Sequence, residues 1–519
     1  MAKKNRLNSI INFLSKNYLL AGLFIFGILL RLIFFKGQVW LGSDITRDIS
    51  ISLEALKRHE IPLTGSFSSA GPFVFGPTLY WLYMITFALF PLGLLTPWYT
   101  AIIIGLCTMV LFYYLIKKLG ISQVVGLGAV VLVFSPQLVL SSSSPTQHTY
   151  VLILTLLALL FLAKLFDNGR LLWAMLAGAA IGLSINMHYQ AVNLLILPFS
   201  VIFFERLSYS RRLVSLTLVL VGMVIALLPL TLWDSGQAYA NYRNLLDYLL
   251  IGQGRIYVPN SWKLYVLDYL PGYWEYVTGI PGALGLLILF TGSIFTALQV
   301  IRRVKMPFVF LLNSVFLLLL LLGRYYRGER FPGYTMYMLP FIIIFSIWTV
   351  GKILDLIPNT KTGSKVKYLV VVLLSISIVL ASYSHLRQNL AGNTSYTDVG
   401  NVVMLLSHKY PGKKFRVLNL AGTNPDASFA VAVYLQDKDL YSFENAVYVG
   451  FCVGCFKDSE KLGELFGTSY AIVDNHTNGD SWQGVSQAEI YDSTIGWLNK
   501  HQLQSTFMPG KYIKERLFR

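Results

Sequence analysis

The chain has 519 residues, 55% of them hydrophobic and only 13% charged, with a formal net charge of +17. This composition excludes a soluble enzyme with a single anchor and describes a polytopic membrane protein. The 42 Lys and Arg outnumber the 25 Asp and Glu, but much of that excess lies in short clusters between apolar runs, as orientation signals do, and not on a face suited to nucleic acid.

The first apolar run, from about Tyr18 to Phe35, is long enough to cross a hydrocarbon core of about 30 Å. No small-residue cleavage pattern follows it, so it reads as a retained helix, interrupted only by Arg31. Lys3, Lys4, Arg6 and Lys16 before it should remain cytoplasmic. The segment Gly42-Ser43-Asp44-Ile45-Thr46-Arg47-Asp48 then emerges at the far membrane boundary, a poor place for charge that has no role. Ile45, Ile49, Leu53 and Leu56 recur at helical spacing, with Asp48, Ser52 and His59 on other faces, which predicts an amphipathic helix lying on the membrane. Arg47 and Asp48 stand at i+3 and i+4 from Asp44, so the three reach one face. Asp44 also suits a helix cap, and that role would fix the direction of its carboxylate.

Hydropathy predicts about eleven spans, near residues 18–35, 98–116, 122–141, 148–166, 171–187, 189–204, 211–233, 280–301, 307–323, 332–351 and 366–385. Leu79–Leu95 is apolar enough to be a twelfth, but counting it would turn Lys117-Lys118, Arg211-Arg212, Arg302-Arg303 and the Lys352–Lys367 cluster outward. The positive-inside rule therefore makes it an interfacial or re-entrant helix, which suits its Tyr80, Trp81 and Tyr83 and its bracketing Pro77, Pro91 and Pro97.

That topology gathers the Asp44 loop, the Ser141–His148 segment, His188 and the Arg324–Arg330 loop on one outer face, with the Tyr- and Trp-rich connection Asp234–Gly279 placed to cover them. An interfacial carboxylate beside a cation suits activation of a hydroxyl acceptor. Arg324, Arg327 and Arg330, spaced by three on an outer face that usually carries few cations, suit phosphate. His148 and His188 are candidates to hydrogen-bond a sugar. No His, Asp and Glu spacing makes a metal site by itself, and any divalent ion would be held partly by Asp44, with Asp48 and His148 as further donors, and by substrate phosphate.

From about residue 387 to the end, charge density rises and the pattern becomes that of a small extracytoplasmic α/β domain, separate from the membrane part at 1–386. Phe415–Leu420 and Ser469–Asp474 read as buried strands, Val402–Ser407 and Ser459–Leu465 as helices. Cys452 and Cys455 form a lone Cys-x-x-Cys best read as a local disulfide.

Asp44-Ile-Thr-Arg47-Asp48, Gly76-Pro77-Thr78-Leu79-Tyr80, Phe134-Ser135-Pro136 and Tyr334–Pro340 together resemble the signatures of polyprenyl-phosphate-dependent glycosyltransferases of the GT-C superfamily, in the branch of protein O-mannosyltransferases and aminoarabinose transferases. The resemblance covers about residues 18–350. It implies an α-helical polytopic GT-C fold and a multi-pass plasma-membrane location, with the N-terminus cytoplasmic. It also implies Asp44 as catalytic base, Arg47 as its orienting group or a phosphate contact, and Tyr334 within a region that handles lipid phosphate. The implied partners are a polyprenyl-phosphate-linked sugar, membrane lipid, and a protein, lipid or glycan acceptor. No cofactor is required, though a divalent metal is compatible. Ser143 and His148 stand where the family often has an Arg and then an Asp, and Phe75 or Gly76 where it has a histidine. A transporter or flippase should instead gather its polar residues at the membrane midplane, and a glycan polymerase or ligase would use a diphosphate carrier.

Overall fold

The computed structural model describes residues 18–41, 43–68, 71–90, 93–118, 124–252, 259–301, 308–326, 332–389, 396–419, 426–442, 446–452 and 470–474. Among them, seven helices are long and apolar enough to cross a membrane, and five shorter apolar helices accompany them. The described parts of the eleven predicted runs are almost wholly helical, with three departures from simple spans, one of them the 3-10 turns over Pro332–Met338 that open the run near 332–351. The run near 122–141 is broken into α5 (Val125–Phe134) and α6 (Pro136–Ser141), because Pro136 has no amide to continue the helix and Ser135 caps the new start through the Leu138 amide. The run near 189–204 alternates between 3-10 and α turns from Tyr189 to Phe203, and Pro198 lies within it.

The long helices are α1 (Tyr18–Gln38), α4 (Thr96–Lys118), α7 (Gln147–Asn168), α8 (Leu171–Met187), α9 (Tyr209–Ser235), α12 (Gly282–Ile301), α13 (Phe308–Tyr325), α14 (Leu339–Asp355) and α15 (Lys361–Asn389). The most deeply buried of them is α14, whose residues from Leu339 to Gly351 are all inside the bundle, with Phe341, Ile342, Ile343, Ile344 and Phe345 essentially without exposure. A helix apolar on every side takes such a central place because every face of it finds an apolar partner. In contrast, α15 and α9 keep rows of exposed leucines, isoleucines and valines, as helices facing lipid do.

Between α1 and α4 the chain forms α2 (Ser43–Lys57), a short two-stranded turn in which Phe67 and Val74 pair, and α3 (Thr78–Leu89). At twelve residues α3 is too short to span. It packs on α2, in keeping with a non-spanning Leu79–Leu95 segment. The expected two-faced character of α2 is not what is found. Ile45 and Ile49 are buried, but so are Thr46, Asp48 and Ser52, because α3 covers one side of α2 and a helix of the C-terminal part covers another. Two further helices, α10 (Ala240–Asp247) and α11 (Leu270–Thr278), lie in the connection between α9 and α12.

After α15 come α16 (Tyr396–Lys409), β1 (Phe415–Asn419), α17 (Asp426–Asp437), β2 (Val447–Cys452) and β3 (Tyr470–Asp474), with the three strands parallel in the order β1, β2, β3. The runs predicted as strands over Phe415–Leu420 and Ser469–Asp474 are strands in their described parts, Phe415–Asn419 and Tyr470–Asp474, and the predicted helix over Val402–Ser407 is part of α16. Ser459–Leu465 and Cys455 lie outside the described residues. This unit meets the rest of the molecule at the end carrying α2. The Tyr396 amide donates to the Val39 carbonyl at 2.8 Å, and Asp437 of α17 accepts from the Leu94 amide at 2.8 Å.

Candidate active site

The first turn of α2 presents two carboxylates bridged by one arginine. Arg47 Nη1 lies 2.7 Å from Asp44 Oδ1, and Arg47 Nε lies 2.9 Å from Asp48 Oδ1. The i+3 and i+4 spacing makes this possible, since a guanidinium fork placed one turn along reaches both. The environments of the two carboxylates differ sharply. The Asp44 side chain is 79% exposed and the Asp48 side chain 6%. Asp48 also accepts from the Tyr80 hydroxyl at 3.2 Å. Burial pushes its carboxyl above the ordinary aspartate range, and the Arg47 charge opposes that shift. The two carboxylates raise the pKa of Arg47, which stays charged. Asp44 is thus held by a fixed cation and open on its other side.

Near it is an aromatic cluster drawn from four parts of the chain. The rings of His148 and His188 lie 4.6 Å apart, and each lies 5.1 Å from Tyr334. Phe75 stacks on the far side of His188 at 5.2 Å. Asp44 is close enough to His148 for its charge to act on the imidazole. His148 opens α7, His188 ends α8, and Tyr334 precedes α14, so the ends of three helices meet here. Of the segments that topology gathers on one face, those of His148 and His188 are in contact with each other, and Tyr334 joins them.

Fixed contacts hold these ends. The Tyr83 hydroxyl of α3 donates to the Pro145 carbonyl, and Ser66 donates to Gln147 Oε1 at 3.2 Å. Gly76 lies against Asn186, where a Cβ would fall 2.1 Å from the amide oxygen, so only glycine allows this approach. Asn241 of α10 accepts from the Val74 amide at 2.7 Å and donates to the Tyr189 hydroxyl at 3.2 Å. Asp234, fully buried, positions that asparagine by accepting the amides of Asn241 and Tyr242 at 2.8 and 2.9 Å. The predicted cover is hence tied to the loop that carries Phe75.

Of the three loop arginines, Arg324 is in the last turn of α13 and rests over the Trp262 ring at 4.0 Å. Arg327 and Arg330 lie outside the described residues. Tyr326, hydrogen-bonded to Tyr248 and Gln190, brings the start of this loop beside Tyr334. Among the described residues no group of three or more His, Cys, Asp and Glu side chains is placed to hold a metal ion. The space between Asp44 and Asp48, where a divalent ion would bridge them, is filled by the Arg47 guanidinium.

Solved structures with this architecture include ArnT from Cupriavidus metallidurans bound to undecaprenyl phosphate, similar at a TM-score of 0.52 and 13% identity over 89% of this chain and 90% of that one. The apo form of the same protein is similar at a TM-score of 0.53. This is the GT-C membrane fold. AglB from Archaeoglobus fulgidus, an archaeal oligosaccharyltransferase in complex with an inhibitory peptide and a dolichol-phosphate, is another GT-C structure similar to this chain, at a TM-score of 0.51 and 12% identity over 80% of this chain and 64% of that one. In sequence, residues 72–233 match the family model for dolichyl-phosphate-mannose-protein mannosyltransferase, a stretch that runs from the Phe75 loop through both histidines to the end of α9. No curated protein matches the chain in sequence.

The sequence reading named Tyr80 and Phe75 only around the Gly76-Pro77 motif and the helix after it, without the contacts they make, and did not single out Asn241. Tyr80 and Phe75 flank the Gly76-Pro77 pair, which was the available signal. Asn241 carried none.

Proposed function

We propose that the protein is an inverting glycosyltransferase that moves a sugar from a polyprenyl-phosphate carrier to a hydroxyl acceptor at the extracytoplasmic face of the plasma membrane. The observation that carries this reading is the exposed Asp44, fixed by Arg47 and near the His148, His188 and Tyr334 rings inside a GT-C fold. The binding of undecaprenyl phosphate by ArnT and of dolichol-phosphate by AglB supports the carrier class.

In the proposed reaction the acceptor hydroxyl gives its proton to Asp44 as its oxygen attacks the anomeric carbon. The bond from that carbon to the phosphate oxygen breaks on the opposite face, and the electron pair leaves with the polyprenyl phosphate. The configuration inverts. Arg47 holds Asp44 aimed through their ion pair, and Arg324, Arg327 and Arg330 receive the charge that builds on the leaving phosphate. His148, His188 and Tyr334 offer hydrogen bonds and flat faces to the sugar. Positioning of two substrates in a partly dry site supplies much of the rate, and no step is routed through a metal.

The test is transfer or donor hydrolysis by purified protein given radiolabelled polyprenyl-phosphate sugars, comparing wild type with Asp44→Asn. Wild-type turnover by a folded Asp44→Asn protein would remove Asp44 from the chemistry. The likeness to AglB favours a second reading, transfer of a whole glycan, and a donor series of monophosphates against diphosphates separates the two.

A further inference from the structure

Arg31 lies within the first membrane helix and is 2% exposed. A guanidinium there is expensive unless its donors are satisfied. The hydrogen bonds it makes to described residues all end on neutral oxygens. Nη2 donates to Leu132 O at 3.0 Å, Nη1 to Val133 O at 3.3 Å and to Gly27 O at 3.0 Å, and Nε to Ser142 Oγ at 3.1 Å. No carboxylate among the described residues pairs with it.

The identity of those acceptors explains the arrangement. In an unbroken helix Leu132 O would receive the amide of residue 136 and Val133 O that of residue 137. Residue 136 is proline, and α5 stops at Phe134, so both carbonyls lose their helical donors deep in the bundle. Arg31 reaches across from α1 and replaces them. The third arm of the fork continues the device, because Ser142 accepts from Arg31 and passes its own proton to Leu138 O at 2.6 Å, closing the last turn of α6. Gly105 of α4 backs Ser142 so closely that a Cβ there would fall 2.5 Å from Oγ and 3.1 Å from Cα.

We propose that Arg31 is a positioning residue for the transfer reaction: it stands in for the amides lost at Pro136 and thereby sets the α5–α6 break and the Ser142 turn against the helix that leads to Asp44. The base arrives on the chain thirteen positions after Arg31, and His148 arrives six positions after Ser142. One guanidinium therefore locks together the two segments whose outer ends lie near each other at the site. Its bearing on catalysis rests on the transferase reading, but the clamp itself does not.

The experiment is a double-mutant cycle on purified, lipid-embedded protein, read by thermal unfolding and by kcat and KM for the donor. Arg31→Met should lower both unfolding temperature and kcat, the latter about 100-fold, as a misplacement of order 1 Å does. Arg31→Lys should recover little, since an ammonium cannot fork to Leu132, Val133 and Ser142 at once. Pro136→Ala restores an amide at residue 136, so it should raise the unfolding temperature of Arg31→Met more than that of wild type. The milder Ser142→Ala should lower kcat several-fold with KM unchanged, which keeps the idea testable if Arg31→Met fails to fold. Additive effects of Arg31→Met and Pro136→Ala on the unfolding temperature would overturn the clamp. A raised donor KM with unchanged kcat in Arg31→Met would assign Arg31 to phosphate attraction and likewise overturn it. If wild type turns over no donor, the transferase reading falls while the thermal cycle still decides the clamp.

Discussion

Two regions of this protein are held together by opposite means. The parallel packing of α8 on α9, with the Tyr189–Phe203 run between them in sequence, is closed by missing side chains. A Cβ on Gly178 would fall 1.9 Å from Val219 O, and one on Gly222 would fall 2.2 Å from Met175 O, so the two backbones touch wherever a glycine faces them. That is small-residue packing, the device that lets helices associate where lipid gives no hydrophobic drive. The outer site is closed by polar side chains, with Arg47, Tyr80, Tyr83, Asn241 and Asp234 each fixing a loop or helix end. Two straight helices need only shape to find their register. Segments as far apart in sequence as α2, α7 and α14 meet at irregular backbone, and there every free amide and carbonyl must be given a partner.

The comparison can be broken most sharply at Asp44. Asp44→Asn keeps the shape and removes the base, so sugar transfer should fall about 10²- to 10⁴-fold with thermal stability little changed, measured as donor turnover beside a melting curve. The converse belongs to the α8–α9 pair. Gly222→Val should cost about 3 kcal/mol or more through overpacking against backbone that has nowhere to move, seen as a lowered unfolding temperature. A Gly222→Val protein as stable as wild type would mean that shape does not hold that pair.

Asp48 sharpens the contrast within the site. Its folded pKa is raised above the unfolded value near 3.8, so between those two values the folded state binds more protons than the unfolded one. This group's contribution to stability is full below the unfolded pKa and declines as pH rises through that window. Unfolding temperature plotted against pH should carry that downward slope in wild type, and Asp48→Asn should flatten it. The smallest effect is expected at the C-terminal unit, where Asp437→Ala removes one side-chain acceptor from a backbone amide and should cost about 1 kcal/mol or less, with local hydrogen exchange at Leu94 the sensitive measure.

Much of this was legible in the sequence because the bilayer simplifies the rules. Continuous apolar runs gave the helices, and His148 and His188, read onto one face, touch each other. The run near 122–141 reads as a single span, although Pro136 within it is what breaks the helix. The α2 helix was misjudged, because a period of 3.6 in Ile45, Ile49, Leu53 and Leu56 says which face is apolar and nothing about a second element seated on the other face. Asp48 looked like a solvent-facing residue for that reason. Its partner Tyr80 lies 32 positions away and Arg31 lies 111 positions from Ser142, and pairings at such separations leave no local periodicity to read.

The grip of the C-terminal unit on the loop after α1 has a mechanical consequence. Tyr396 holds the chain at Val39, just before α2, and Asp437 holds it at Leu94, just before α4. The stretch between them, which carries Asp44 at one end and the Phe75 loop further along, is a strap buckled at both ends to the same C-terminal unit. Tension applied to that unit reaches the carboxylate and the aromatic cluster together, whereas cutting it away would leave the strap tied only by its helices and lengthen the span that must be ordered before Asp44 is aimed.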